Sequence, residues 1–190
     1  MAVPITDNIE VDRGTLLLAD PFLSDGTFDR SVILICEHNE TGTMGFILNN
    51  KTEYHLPDVL EDLSDANQDL YIGGPVQQNT LHYLHRIGPV IQNAFQVTNH
   101  IYWGGNFDQL KVNAQLKTID PGDIRFFLGY TGWGKGQLEA EIADGTWLAF
   151  NGHEFDFFDI PPKELWRSVL KEMGGKYREM ANYPKDPSMN

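Results

Sequence analysis

One cysteine in 190 residues rules out an internal disulfide, so stability has to come from a buried core. Long apolar runs are missing too. The longest, residues 32–36, has five residues, far short of the ~18 that a membrane span needs. The opening MAVPITDNIEVDRG carries neither a basic nor an apolar stretch, so no signal peptide is read there. Together with the lone cysteine this gives the cytoplasm as the expected compartment, and no membrane. Positive charge is scarce: 14 Lys and Arg stand against 27 Asp and Glu, a net charge of −13. Between Thr52 and His85 there is no lysine or arginine, while Glu53, Asp58, Glu61, Asp62, Asp65 and Asp69 all lie there. A field of that sign repels nucleic acid and anionic surfaces, so direct DNA binding is not expected. The exception is the C-terminal segment, where Lys163, Arg167 and Lys171 recur every four residues.

Catalytic and metal signatures are incomplete. There is no G-x-S-x-G elbow, the turn that exposes a hydrolase serine. His153-Glu154 lacks the second histidine of H-E-x-x-H, and His38, His55 and His100 stand singly. His82 and His85 are three apart, which puts them on opposite faces of a strand. No metal or cofactor is therefore expected. Glu139 and Glu141, two apart on a helix, do not face each other and read as solvated.

What is present is a pattern of short elements in a single domain spanning residues 1–190. GTLLLAD is a strand, and SVILICEH is a second, apolar on both alternating faces and so covered on both sides. NETGT joins it to MGFILNN as a hairpin. Residues 56–63 have helical spacing. QDLYIGGPV, TLHYLHRI and AFQVTNHIYWGG read as strands, and residues 107–116 as a helix. DIRFFLG is a strand, GQLEAEIADG a helix and TWLAF a strand. Pro161-Pro162 opens a last helix with an apolar stripe of Leu165, Trp166, Val169, Leu170 and Met173. Residues 183–190 form an extended tail with two prolines. Hairpins with scattered helices, without regular β-α alternation, give an α+β class with a mostly antiparallel sheet.

Two stretches carry candidate chemistry. FLGYTGWGKGQL puts Gly129, Gly134 and Lys135 in register with the phosphate loop G-x-x-x-x-G-K-[ST], but Gly136 replaces the hydroxyl residue that would hold magnesium. Either the Gly129–Gly136 segment is a weak nucleotide or anion site, or its glycines serve a tight turn while Tyr130 and Trp133 pack. Cys36 and His38 fall on one face of a regular strand, so a thiol activated by an imidazole stands against a buried packing cysteine.

The segments GTLLLADPFLSDGTFDRSVILICEHNETGTMGFILN, GGPV with the following Leu84-His85, and GYTGWGKGQLEAEIADGTW occur in one order along nearly the whole chain. In this the chain resembles the AlgH/YqgE family of bacterial proteins. The resemblance implies a mixed, bifurcated sheet partly curled into a small barrel and flanked by helices. It implies no reaction; the regulator label given to some members describes a genetic association. The expected function is a non-enzymatic binding or regulatory domain with an unknown protein or small-molecule partner. The alternative is a thiol-based sensor or enzyme using a cleft near Cys36 and His38. The expected ligand cleft lies at Gly74 in the GGPV turn, with Asp25, Arg30, Cys36, His38, Asn49, His85, Tyr130 and Trp133 around it.

Overall fold

The computed structural model describes residues 10–23, 26–60 and 68–184. Asp25, residues 61–63 of the helix expected at 56–63, and the end of the proline-containing tail lie outside them; the described part of that helix is a single 3-10 turn, Leu56–Asp58. Among the described residues, ten strands and four α-helices occur in the order β1 (Thr15–Ala19), β2 (Val32–Asn39), β3 (Gly42–Ile47), β4 (Lys51–His55), β5 (Asp69–Ile72), β6 (Val76–His85), β7 (Phe95–Gln96), β8 (Tyr102–Trp103), α1 (Phe107–Gln115), β9 (Ile124–Gly134), α2 (Gln137–Ala143), β10 (Trp147–Asn151), α3 (Pro162–Met173) and α4 (Gly175–Met180).

The strands form one sheet ordered β10-β1-β2-β3-β9-β6-β8-β7, with β4 and β5 on a branch. Neighbours pair antiparallel except β5 and β9, which run parallel. The branch point is β9. Its first half lies between β5 and β6, through Phe126, Phe127 and Leu128. Its second half leaves β5 and pairs β3 instead, Thr131 with Gly45 through Gly134 with Gly42. The sheet is thus bifurcated. It does not close into the small barrel that the family resemblance implies. Closure requires the outermost strands to pair, and β10 and the two-residue β7 each have one neighbour.

Alternation along β1 to β3 sorts side chains onto two faces. Leu16, Leu18, Val32, Leu34, Cys36 and Phe46 meet the apolar stripe of α3, with Leu165, Trp166, Val169, Leu170 and Met173 all buried as their spacing predicts. Leu17, Ala19, Ile33, Ile35 and Ile47 face the other way, against Trp133, Trp147 and Leu138 of α2. Both faces of β2 are covered. Beyond the branch point, Leu56, Leu70, Tyr83, Leu110 and Phe126 make a third cluster under α1. No helix among the described residues is long and apolar enough to cross a membrane.

The stretch that imitates a phosphate loop is not a loop. Gly129 to Gly134 lie inside β9, Thr131 to Gly134 are in register with β3, and the Gly134 amide donates to Gln137 Oε1 at 3.0 Å. Only Lys135 and Gly136 form the turn, with Gly136 at φ +72°. A strand committed to its neighbours has no convergent row of free N–H groups to wrap phosphate. Trp133 packs, as the turn reading expected, and its indole N–H donates to Glu141 Oε2 at 2.8 Å. The Trp147 indole donates to the same oxygen at 2.7 Å. Glu141 is therefore not the solvated residue that its position suggested: it links α2 to β9 and β10.

Candidate functional site

The expected cleft residues disperse. Asn49 receives the Val32 amide at 2.9 Å and donates to the Arg30 carbonyl at 3.0 Å, clamping the chain before β2. Arg30 donates to the Tyr183 carbonyl at 2.6 Å and lies 4.8 Å over the Trp166 ring. Gly74 is a point of backbone contact: a Cβ there would sit 2.2 Å from the Tyr130 carbonyl. His85 is fully buried, stacked between Tyr83 and Tyr102. Its Nε2 lies 3.0 Å from the Gly104 carbonyl; a carbonyl only accepts, so Nε2 carries the proton. Burial holds this imidazole below its ordinary pKa, against the opposing pull of the Gly104 bond. These four are parts of the scaffold, and none of them lines either hollow described below.

Cys36 and His38 also part. The β2–β3 register shifts between Ile35 and Glu37, so two consecutive residues of β2, Cys36 and Glu37, stand where one is expected. Glu37 then pairs with Met44, and His38 with Thr43. Cys36 and Glu37 point to the α3 face and His38 to the other, where Nδ1 is 2.8 Å from Thr43 Oγ1 and Nε2 3.7 Å from Glu139. There His38 borders a hollow of about 520 Å³ with Glu10, Asp12, Asn151 and His153. Cys36 has no exposed surface, and burial pushes its thiol far above its usual pKa. An activated dyad is not formed. Thiol labelling with a disulfide reagent is expected to be limited by unfolding in the native protein and rapid in urea, with His38→Ala changing neither. Fast native-state labelling would restore the reactive cysteine.

The bulge does produce a groove. With Glu37 on the α3 side, an open depression of about 560 Å³ forms over the branch point, bordered by Glu37, Met44, His82, Trp103, Tyr130 and Gly132. His82 lies at its centre, with ring centroids 6.2 Å from Trp103, 6.1 Å from Tyr130 and 5.2 Å from Phe46 beneath. Its Nε2 is 3.1 Å from Thr80 Oγ1, and burial lowers its pKa, which keeps the ring neutral near pH 7. Met44, His82, Trp103, Tyr130 and Trp133 are half-buried or buried. Of the residues expected from sequence, Tyr130 and Trp133 border this groove. The sequence reading missed His82, Met44 and Trp103. Period-2 alternation contained the signal: once Leu84 is assigned to the core face, His82 shares it and His85 cannot. Among the described residues no cluster of His, Cys, Asp and Glu is arranged to hold a metal.

The model of the AlgH-like family matches residues 16–178. A UPF0301 protein of Cytophaga hutchinsonii is 41% identical over 179 residues, covering 94% of this chain and 98% of that protein. One from Chlorobium limicola is 41% identical over 177 residues, covering 93% and 95%. Two solved structures are similar. One is a crystal structure from Corynebacterium diphtheriae, with TM-score 0.77, 24% identity, and 94% and 95% of the two chains covered. The other is the solution structure of AlgH from Pseudomonas aeruginosa, with TM-score 0.70, 28% identity, and 95% and 98% covered. By the extent of these matches the chain belongs to the AlgH-like family of uncharacterised bacterial proteins.

Proposed function

We propose that this chain is a non-enzymatic binding domain whose ligand occupies the groove over the branch point, and that it acts in the cytoplasm without recognising duplex DNA. The observation that carries the reading is the ring cluster of His82, Trp103 and Tyr130, half-buried yet opening to solvent in a concave surface. Concave sites with aromatic walls and a few polar groups at the rim are where small ligands bind. Catalysis by the thiol is disfavoured by its burial and by the bulge that turns His38 away. On α3 the basic residues Lys163, Arg167 and Lys171 form one short row, too few phosphate contacts for strong duplex binding when ~6–10 are usual.

Gly132 provides the test. It pairs with Met44 on the groove side, its φ is not positive, and an added Cβ meets only ordinary contacts, the nearest 3.4 Å away on the Tyr130 ring. Gly132→Leu therefore fills the groove without straining β9. In a ligand-observed NMR screen of soluble fragments, hits on the native chain should vanish for Gly132→Leu, with Tm unchanged within about 3 °C, a shift of roughly 1 kcal/mol for a domain of this size. Hits that survive the substitution place binding elsewhere and sink the reading.

A further inference from the structure

We infer that the groove takes a small organic cation, a quaternary or alkylated ammonium group, with Glu37 as its counter-charge. The inference rests on the groove reading above and names its ligand class. Charge is the first support. Among the described residues Glu37 is the one charged side chain that borders the groove, and no lysine or arginine lines it. Glu37 is exposed, and its Oε1 accepts from Asn39 Nδ2 at 2.9 Å, an arrangement that fixes the carboxylate at the rim and leaves Oε2 without a partner among the described residues. The chain as a whole is at −13, which raises the local concentration of cations and lowers that of anions.

The walls are the second support. Trp103 and Tyr130 stand on either side of His82, and π faces of tryptophan and tyrosine attract ammonium groups. The central imidazole, kept neutral by burial, adds no repulsion. Met44 supplies an apolar methyl-bearing edge, suited to the methyl shell of an alkylated ammonium. The protein makes the same contact elsewhere: Arg13 lies 4.9 Å over Phe95, which meets Trp103 edge-on at 6.4 Å. A phosphate-bearing ligand would find no donor cation and one opposing carboxylate. A metal ion would find Glu37 with Asn39 and Thr41, too few hard ligands for a divalent site.

Amide and indole NMR titrations of the full chain with choline, with its neutral isostere 3,3-dimethyl-1-butanol, and with indole test this. Choline is expected to shift the Trp103 indole, Met44 and Gly132 resonances, binding about tenfold more tightly than the isostere. Glu37→Gln, at an exposed position, should weaken choline about fivefold and leave the isostere unchanged. Equal binding of choline and isostere, or an unchanged Glu37→Gln variant, overturns the cation inference, and indole shifts at the same resonances would then leave the groove reading standing. No groove shift with any of the three probes removes both. If a peptide carrying trimethyllysine binds where choline does not, the occupant is a protein segment, and the small-molecule inference fails.

Discussion

Gly129→Ala is expected to leave the chain unfolded or nearly so at 25 °C, while Gly136→Ala lowers stability by only about 1–2 kcal/mol. Both residues have left-handed backbone, at φ +66° and +72°, so both alanines incur that conformational cost. Their surroundings differ. A Cβ at Gly136 meets nothing within 4 Å, whereas at Gly129 it lies 2.5 Å from the Val76 carbonyl oxygen, 2.9 Å from that of Gly74 and 3.1 Å from Gln78 Cα. All three are backbone atoms, and no rotamer relieves the overlap. The crowding is mutual, since a Cβ on Gly73 would meet the Gly129 carbonyl at 2.4 Å. The GGPV turn and β9 cross here because the Gly73 amide donates to Leu128 at 2.8 Å and its carbonyl accepts from Ile47 at 2.8 Å. Separating the strands to admit a methyl would break these bonds at the branch point of the sheet. A loss of about 5 kcal/mol or more is comparable with the whole stability of a typical domain. Urea denaturation followed by circular dichroism measures it. A Gly129→Ala protein within 1 kcal/mol of the native one would show that the crossing yields, and the glycines would need another explanation.

These glycines also show what could be read from the sequence. Where one periodicity dominated, the reading succeeded. The β2–β3 hairpin followed from two alternating runs around a short polar loop, and the α3 stripe from apolar residues at helical spacing. Glycine misled, because it signals turns by its freedom and close approach by its lack of a side chain. At Gly129 both apply, inside a strand and not in a turn, and its close contacts come from residues 74–78, a relation that no local window contains. The same holds for the parallel pairing of β5 with β9, fifty-odd residues apart in sequence. The bulge at Cys36 left no compositional mark. One inserted residue reversed the side on which His38 stands, removing the dyad that the alternative reading required and bringing Glu37 to the groove instead. After Gly174 the chain turns and forms α4, burying Tyr177.

Arg125 is the residue least visible in the sequence and the second whose loss should be severe. In DIRFFLG it looks like the polar member of a half-exposed strand, yet it is 6% exposed. Among the described residues its guanidinium donates to backbone carbonyls and to no carboxylate. Nη1 donates to the Leu48 carbonyl at 3.0 Å, and Nη2 to those of Phe158 and Phe157 at 3.3 and 3.5 Å. The cation also lies 4.7 Å over Tyr71 and 5.1 Å over Phe157. It thereby joins the end of β3, β5 and the segment before α3. From outside, Arg86 holds that segment through Asp156 and Asp159, both at 2.8 Å, and packs 5.4 Å over Phe158, whose ring is 5.7 Å from Arg125. Arg125→Ala removes the buried stem and leaves carbonyls without donors, an expected loss of about 3–5 kcal/mol. Arg125→Lys should recover little of it, because one ammonium cannot span acceptors that a planar fork reaches from two nitrogens. Arg86→Ala should cost less, and that cost should shrink in salt, since solvent screens the outer network. Urea midpoints of the three variants at low and high salt check the order. If Arg125→Lys matches the native protein, the buried charge alone suffices and the fork geometry is irrelevant. If Arg86→Ala is the more damaging change, the outer network, and not Arg125, fixes the segment that delivers α3 to the sheet.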